Sequence, residues 1–292
     1  MQGSFERQER KAVHIVKNNG FVKAWGVLYP ILIYYVVSNV VIYLAALILG
    51  VSQESYVEQY TMLQTIATAV ALPVLYRFYR ADQMMFAVFH QRTANAYREL
   101  PGKRKVRNAL LCLLCGALAG VVLNNIIGAT GLAQLSAGYQ EVTEHFWSGS
   151  VVFEILGPGI LIPLAEELLY RGIVYGRLSD WLGIPAAAAV SALVFGGLHF
   201  NIVQFIYAFL IGIFLVFFLE RSHNLLGAVL GHMGANLITV LRMESGALDW
   251  MDKSAAAYWS GTIGMALVCG GLAFWLARGE HAVKAGCHSS EN

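Results

Sequence analysis

Glu166, Glu167 and Arg171 lie in the run Ala165-Glu166-Glu167-Leu168-Leu169-Tyr170-Arg171, inside a stretch otherwise apolar enough to cross a membrane. Two more polar groupings interrupt later apolar stretches: Phe195-Gly196-Gly197-Leu198-His199 and His232-Met233-Gly234-Ala235-Asn236. A carboxylate beside an imidazole can hold and deprotonate a water molecule. A second imidazole with an amide can donate hydrogen bonds to a developing oxyanion. Such parts suit hydrolysis of an amide bond within a membrane. Each charge near the bilayer centre costs about 3 kcal/mol on insertion scales, so charges there are usually paired and functional.

The spacings say how each grouping presents itself. On a helix Glu167 and Arg171 are four apart with the acid first, the favourable order for an ion pair. Pairing them leaves Glu166, rotated by about 100°, to face something else. Pro158 and Pro163 precede the cluster and would interrupt the helix, freeing backbone groups that need a polar lining. Gly196 and Gly197 beside His199, and Gly231 and Gly234 around His232, remove bulk and let another helix or a substrate approach. His232 and Asn236, also four apart, project from one helical face. Taken singly, each group reads as glue between helices; taken together, they read as a site.

The elements that must carry these groups are helices. The chain has 292 residues, 57% hydrophobic and 13% charged, whereas a soluble domain carries about 25% charged residues. Apolar segments occur at about 24–50, 60–79, 108–132, 151–178, 184–201, 203–220, 224–243 and 257–277, and about 20 residues are needed to cross the hydrocarbon. The expectation is an all-α polytopic membrane protein of about eight transmembrane helices. Residues 1–23 form a cytoplasmic N-terminal segment, 24–280 a single transmembrane domain with a core at 150–245, and 281–292 a cytoplasmic tail. No cleavable signal peptide is expected at the polar, basic N-terminus.

Basic residues cluster before the first span (Arg7, Arg10, Lys11, Lys17, Lys23) and between the second and third (among them Arg77, Arg80, Lys103 and Arg104). The loops at 51–59 and 133–149 hold Glu54, Glu58, Glu141 and Glu144 and no Lys or Arg. The positive-inside rule then puts both termini in the cytoplasm, with Arg242 and Lys253 as exceptions. Residues 81–98 mix Met84, Met85, Phe86, Val88 and Phe89 with polar groups, as an amphipathic helix at the inner interface would. Gly116 with Gly120, and Gly227 with Gly231, have the small-residue spacing of close helix contacts. Cys112, Cys115 and Cys269 lie in apolar runs and read as packing residues; Cys287 lies near the C-terminus.

Glu166-Glu167-x-x-x-Arg171, Phe195-x-x-x-His199 and His232-x-x-x-Asn236 resemble the three ordered motifs of the CPBP intramembrane proteases, also called the Abi or CAAX-protease family, which includes the type II CAAX prenyl endopeptidases. The resemblance covers residues 150–245. It implies an eight-helix fold with a conical cavity open to the cytoplasmic side and the membrane. Glu166 with His199 would activate the hydrolytic water, and His232 with Asn236 would stabilise the oxyanion. Glu167, Arg171 and Phe195 would support them. The resemblance implies no cofactor, in a glutamate-type mechanism.

Glu166, His199 and His232 are also a set that could in principle bind zinc, although the chain lacks the His-Glu-x-x-His helix of most zinc peptidases. The expected partners are the lipid bilayer and a membrane-associated peptide or protein substrate at a multi-pass site in the cell membrane. Nothing in the chain points to nucleic acid. Bacterial-type members of the family are often linked to bacteriocin self-immunity or membrane-peptide processing. A non-catalytic immunity or scaffold protein using the same cavity is therefore the alternative. A transporter using Glu166 and the histidines as a proton relay is a third class, weakened by the absence of an internal repeat.

Overall fold

In this computed structural model, residues 20–89, 102–147 and 149–278 are described. They contain no strand. We number the longer helices α1 (Gly20–Leu49), α2 (Tyr56–Phe89), α3 (Gly102–Gly128), α4 (Ala137–Trp147), α5 (the run Val151–Leu182), α6 (Ile184–Gly197), α7 (Ile202–Ser222), α8 (Leu225–Ser245) and α9 (Ala255–Arg278). Each of the eight apolar segments read from the sequence is helical along most of its length. Five helices (α1, α3, α7, α8, α9) are long and apolar enough to cross a membrane, and a sixth span results if α4 and α5, bent by 112°, are one.

Two details depart from the segments read from the sequence. The fifth apolar segment was expected to run to residue 201, but α6 stops at Gly197 after 14 residues and leaves His199 on the turn to α7. Residues 56–89 form one 34-residue helix, so the part of 81–98 as far as Phe89 continues α2. Residues 90–98 lie outside the described residues.

The chain breaks between helices where its chemistry tells it to. Gly183 takes a positive φ of 74° between α5 and α6, with Pro185 in the first turn of α6, where its missing N–H costs nothing. Asn201 caps α7 by accepting from the Gln204 N–H, and Asn224 caps α8 by accepting from the Leu226 N–H.

The centre of the bundle is a parallel contact between α3 and α8. A Cβ on Gly116 would lie 1.8 Å from the Gly231 carbonyl oxygen, and one on Gly234 2.2 Å from that of Leu113. Gly120 meets Ala235 in the same register. The glycine spacing read from the sequence thus marks backbone-to-backbone packing, which apolar lipid alone could not drive and which van der Waals contact at close range can. Helix α9 returns antiparallel along α3; the Asn125 side chain donates to Thr262 Oγ1 at 2.8 Å, and Cys115 and Cys269 bond reciprocally to each other's carbonyls. Cys112, Cys115 and Cys269 are buried and free; Cys287 lies outside the described residues. The flanking helices α1 and α9 bury only 17% of their apolar windows, against 56% for α3. Their exposed faces carry Leu32, Val36, Val40, Ile263, Leu267 and Phe274, the composition that hydrocarbon accepts.

The bundle has two chemically different ends. At one lie Lys23, Arg77, Lys103, Arg107, Arg221 and Arg278; at the other lie Glu54, Glu58, Glu141, Glu144, Glu244 and Asp249, with Arg242 and Lys253. The basic end is tied by Arg177, which makes two 2.7 Å bonds to Asp82, a 2.9 Å bond to Tyr29 Oη and a further bond to the Gly26 carbonyl. One guanidinium thus holds α1, α2 and α5 together. The fork geometry of Arg suits this, since a planar donor set matches a carboxylate bidentately.

Candidate active site

Helix α5 positions the two glutamates by being broken twice. Two π-helical segments, Gly157–Leu161 and Leu168–Tyr175, flank a six-residue α-helical piece, Ile162–Glu167. The first has a cause in the sequence. The Ile162 N–H bonds to the Gly157 carbonyl, five residues back. The next donor in that pattern would be residue 163, which is proline and has no N–H. The Pro158 carbonyl is therefore left without a helical partner, and the Asn236 Nδ2 donates to it at 2.8 Å. Interruptions of this kind are frequent at functional sites.

Glu166 and Glu167 then diverge. The Glu167 side chain is fully buried, whereas Glu166 keeps 18% of its exposure. Glu167 Oε1 accepts from Arg171 Nη1 at 3.0 Å and from His232 Nδ1 at 2.8 Å. The far ring nitrogen of His232, Nε2, lies 3.7 Å from Glu166 Oε2, beyond hydrogen-bond reach. A continuous line of polar side chains runs Arg171, Glu167, His232, Glu166. The (i, i+4) ion pair read from the sequence is present. The tie from Glu167 to His232 was not foreseen, because nothing in the sequence says which helices lie side by side.

His199 is held differently. Its Nδ1 contacts the Phe195 carbonyl at 2.9 Å. A carbonyl can only accept, so Nδ1 is the donor here and Nε2 is left for another partner. The Phe195 ring is wedged among four partners: Tyr170 at 4.9 Å, His199 at 5.1 Å and His232 at 5.8 Å between centroids, with the Arg171 guanidinium 4.5 Å over its face. The ring covers a cation that has two unpartnered nitrogens, Nε and Nη2. Gly196 lets α7 come close, since a Cβ there would meet the Phe205 carbonyl at 2.8 Å.

A cavity of about 530 Å³ is lined by Glu166, Phe195, His199, His232 and Asn236. All four residues expected to be catalytic thus face one space, from α5, the α6–α7 turn and α8. Glu167 and Arg171 stand behind them. Tyr34 and Tyr35 of α1, Gln64 of α2, Asn124 of α3, Tyr207 of α7 and Arg242 of α8 also line it. Apart from Arg242, noted only as an exception to the charge pattern, these were not picked out in the sequence. One signal was a Tyr-Tyr pair in an apolar span, where each hydroxyl needs a partner; Tyr35 Oη reaches the Leu198 carbonyl at 3.5 Å. Among the described residues no group of three or more His, Cys, Asp and Glu side chains is placed to hold a metal ion.

The lining comes from one half of the bundle. It uses the halves of α2, α3, α5, α7 and α8 that lead to the acidic end, and α4 lies over that end with Tyr139, Val142, Thr143 and Phe146. The resemblance implied a cavity open to the cytoplasmic side; the cavity here lies toward the acidic loops.

A helical membrane bundle whose intramembrane carboxylates, imidazoles and amide line one cavity is the class of protein described so far. Residues 148–238 match the family described as type II CAAX prenyl endopeptidase Rce1-like. That match makes this segment of the chain similar to the CPBP, or CAAX-protease, family and agrees with the three motifs read from the sequence. No curated protein and no solved structure matches the chain.

Proposed function

We propose that this protein is an intramembrane endopeptidase of the glutamate type, cutting a peptide bond of a membrane-associated peptide or protein in a cell membrane. The observation that carries the reading is the shared cavity of Glu166, His199, His232 and Asn236. Glu166 and His199 Nε2 hold a water molecule, and Glu166 takes its proton as the water oxygen bonds to the scissile carbonyl carbon. The carbonyl π pair moves onto oxygen. His232, donating through Nδ1 to Glu167, donates through Nε2 to that oxyanion, with the second amide hydrogen of Asn236 beside it. Glu166 then returns the proton to the amide nitrogen as the carbon–nitrogen bond breaks, giving a carboxylic acid and an amine.

This requires His232 to be an imidazolium. The site's charges then balance: Glu166 and Glu167 against Arg171 and His232. A balanced set is the arrangement that low-dielectric surroundings tolerate, since an unpaired charge there is strongly unfavourable.

The test is cleavage of quenched fluorescent peptides by the full chain in liposomes. Glu166→Gln should abolish turnover while circular dichroism and detergent melting stay as in the parent. Turnover retained by Glu166→Gln would refute the role given to Glu166, whereas a parent that binds peptide without cutting it, and a Glu166→Gln protein that binds it equally, would favour the immunity or scaffold reading instead.

A further inference from the structure

The cavity is one-sided. Its deepest residues toward the basic end are Tyr34, Glu166, Ile211 and His232. Beyond them the described residues are closely packed. Leu169, Ile173, Leu215 and Phe218 are fully buried, and the Gly116–Gly231 contact closes α3 on α8. Further along, Tyr175 Oη bonds to Glu220 at 2.7 Å and Arg177 clamps Asp82. Among the described residues the cavity lining does not extend to that end.

The acidic end is different in kind. The cavity wall there is α4, a helix of 11 residues with no buried side chain. It is pinned on one side, where Thr61 Oγ1 donates to the carbonyls of His145 and Phe146 at 3.1 Å. On the other it meets the α6–α7 turn, with Gly138 beside Asn201.

Charge says which face of the membrane this is. Among the described residues the loops at the acidic end carry two basic side chains, Arg242 and Lys253, and the opposite end carries most of the rest. Cytoplasmic loops are the ones enriched in Lys and Arg.

We propose that the cavity is fed from the non-cytoplasmic face, so that the polypeptide it takes is an exported or outer-leaflet segment passing α4, not a cytosolic tail. The cleavage of that segment rests on the function proposed above; the side of access does not. Single cysteines report it in the full-length chain, with Cys287→Ser as background because Cys112, Cys115 and Cys269 are buried. Gln204→Cys samples the cavity wall, with Thr143→Cys as a second probe on α4. Glu54→Cys marks the acidic end and Lys103→Cys the basic end. A membrane-impermeant maleimide is applied to intact cells and to inverted vesicles.

The expected result is that the Gln204→Cys and Thr143→Cys proteins label in intact cells, together with Glu54→Cys, and lose labelling in inverted vesicles, where Lys103→Cys gains it. Labelling of Gln204→Cys together with Lys103→Cys, or from neither face, overturns the proposal, as does labelling of Glu54→Cys from the cytoplasmic side. Correct labelling without peptide cleavage would sink the protease reading alone. Cleavage with reversed labelling would sink the side of access alone.

Discussion

The two ends of the bundle solve opposite problems with the same helices. At the basic end, glycine backbones and the Arg177–Asp82 pair close the described helices on one another. At the acidic end, two π segments and a short α6 hold the helices apart around about 530 Å³. Rigid packing on one side is what allows a costly gap on the other. A polar constellation keeps its geometry only if the elements beneath it cannot relax.

That contrast can be broken at four places. The largest effect should come from Glu166→Gln, which removes the base from the open half and touches no packing. Peptide turnover should fall by about 10²–10⁴-fold, the usual contribution of a general base, with the melting temperature unchanged. Loss of folding in this variant would show that the open half is structural after all.

Glu167→Gln should do the reverse. It leaves Arg171 buried without a carboxylate, and breaking such a pair costs about 3–5 kcal/mol. Detergent unfolding would read this as a loss of stability that accompanies any loss of activity.

Gly116→Val tests the closed half. A side chain cannot fit against the Gly231 carbonyl, and overpacking of this kind costs about 1–3 kcal/mol. The measurement is thermal unfolding in detergent, and an unshifted melt would show that the α3–α8 contact gives way freely.

Asn236→Ala is the smallest. It strips the Pro158 carbonyl of its donor, which should cost about 1–3 kcal/mol for a buried unpaired group. Asn236→Asp, which can accept but not donate when ionised, should not rescue it. Stability equal to the parent in Asn236→Ala would leave only the oxyanion role proposed for this amide.

Much of this was legible before any coordinates. Helical class, the Glu167–Arg171 pair and the close glycine contacts follow from residue type and spacing, and the shared cavity of Glu166, His199, His232 and Asn236 was expected from the cost of polar groups in apolar spans. These are properties of one helix or of strongly unfavourable exposure, so a linear sequence carries them. What was not legible needed neighbours. The His232–Glu167 bond depends on α5 lying beside α8. The use of Asn236 on Pro158 depends on a π turn that only Pro163 explains once it is seen. His199 was expected within a helix because Leu198 and Phe200 prolong the apolar run, yet the chain turns there, with Phe200 at a φ of 56°. Tyr34 and Tyr35 lie far from every motif and are brought in by α1 alone.

The ring of Phe195 touches both imidazoles and the guanidinium behind them. Whatever tilts that one wedge tilts three neighbours in concert. The two histidines therefore share a fate: they come into register together or drift together, and no state with one set and the other adrift is easily reached.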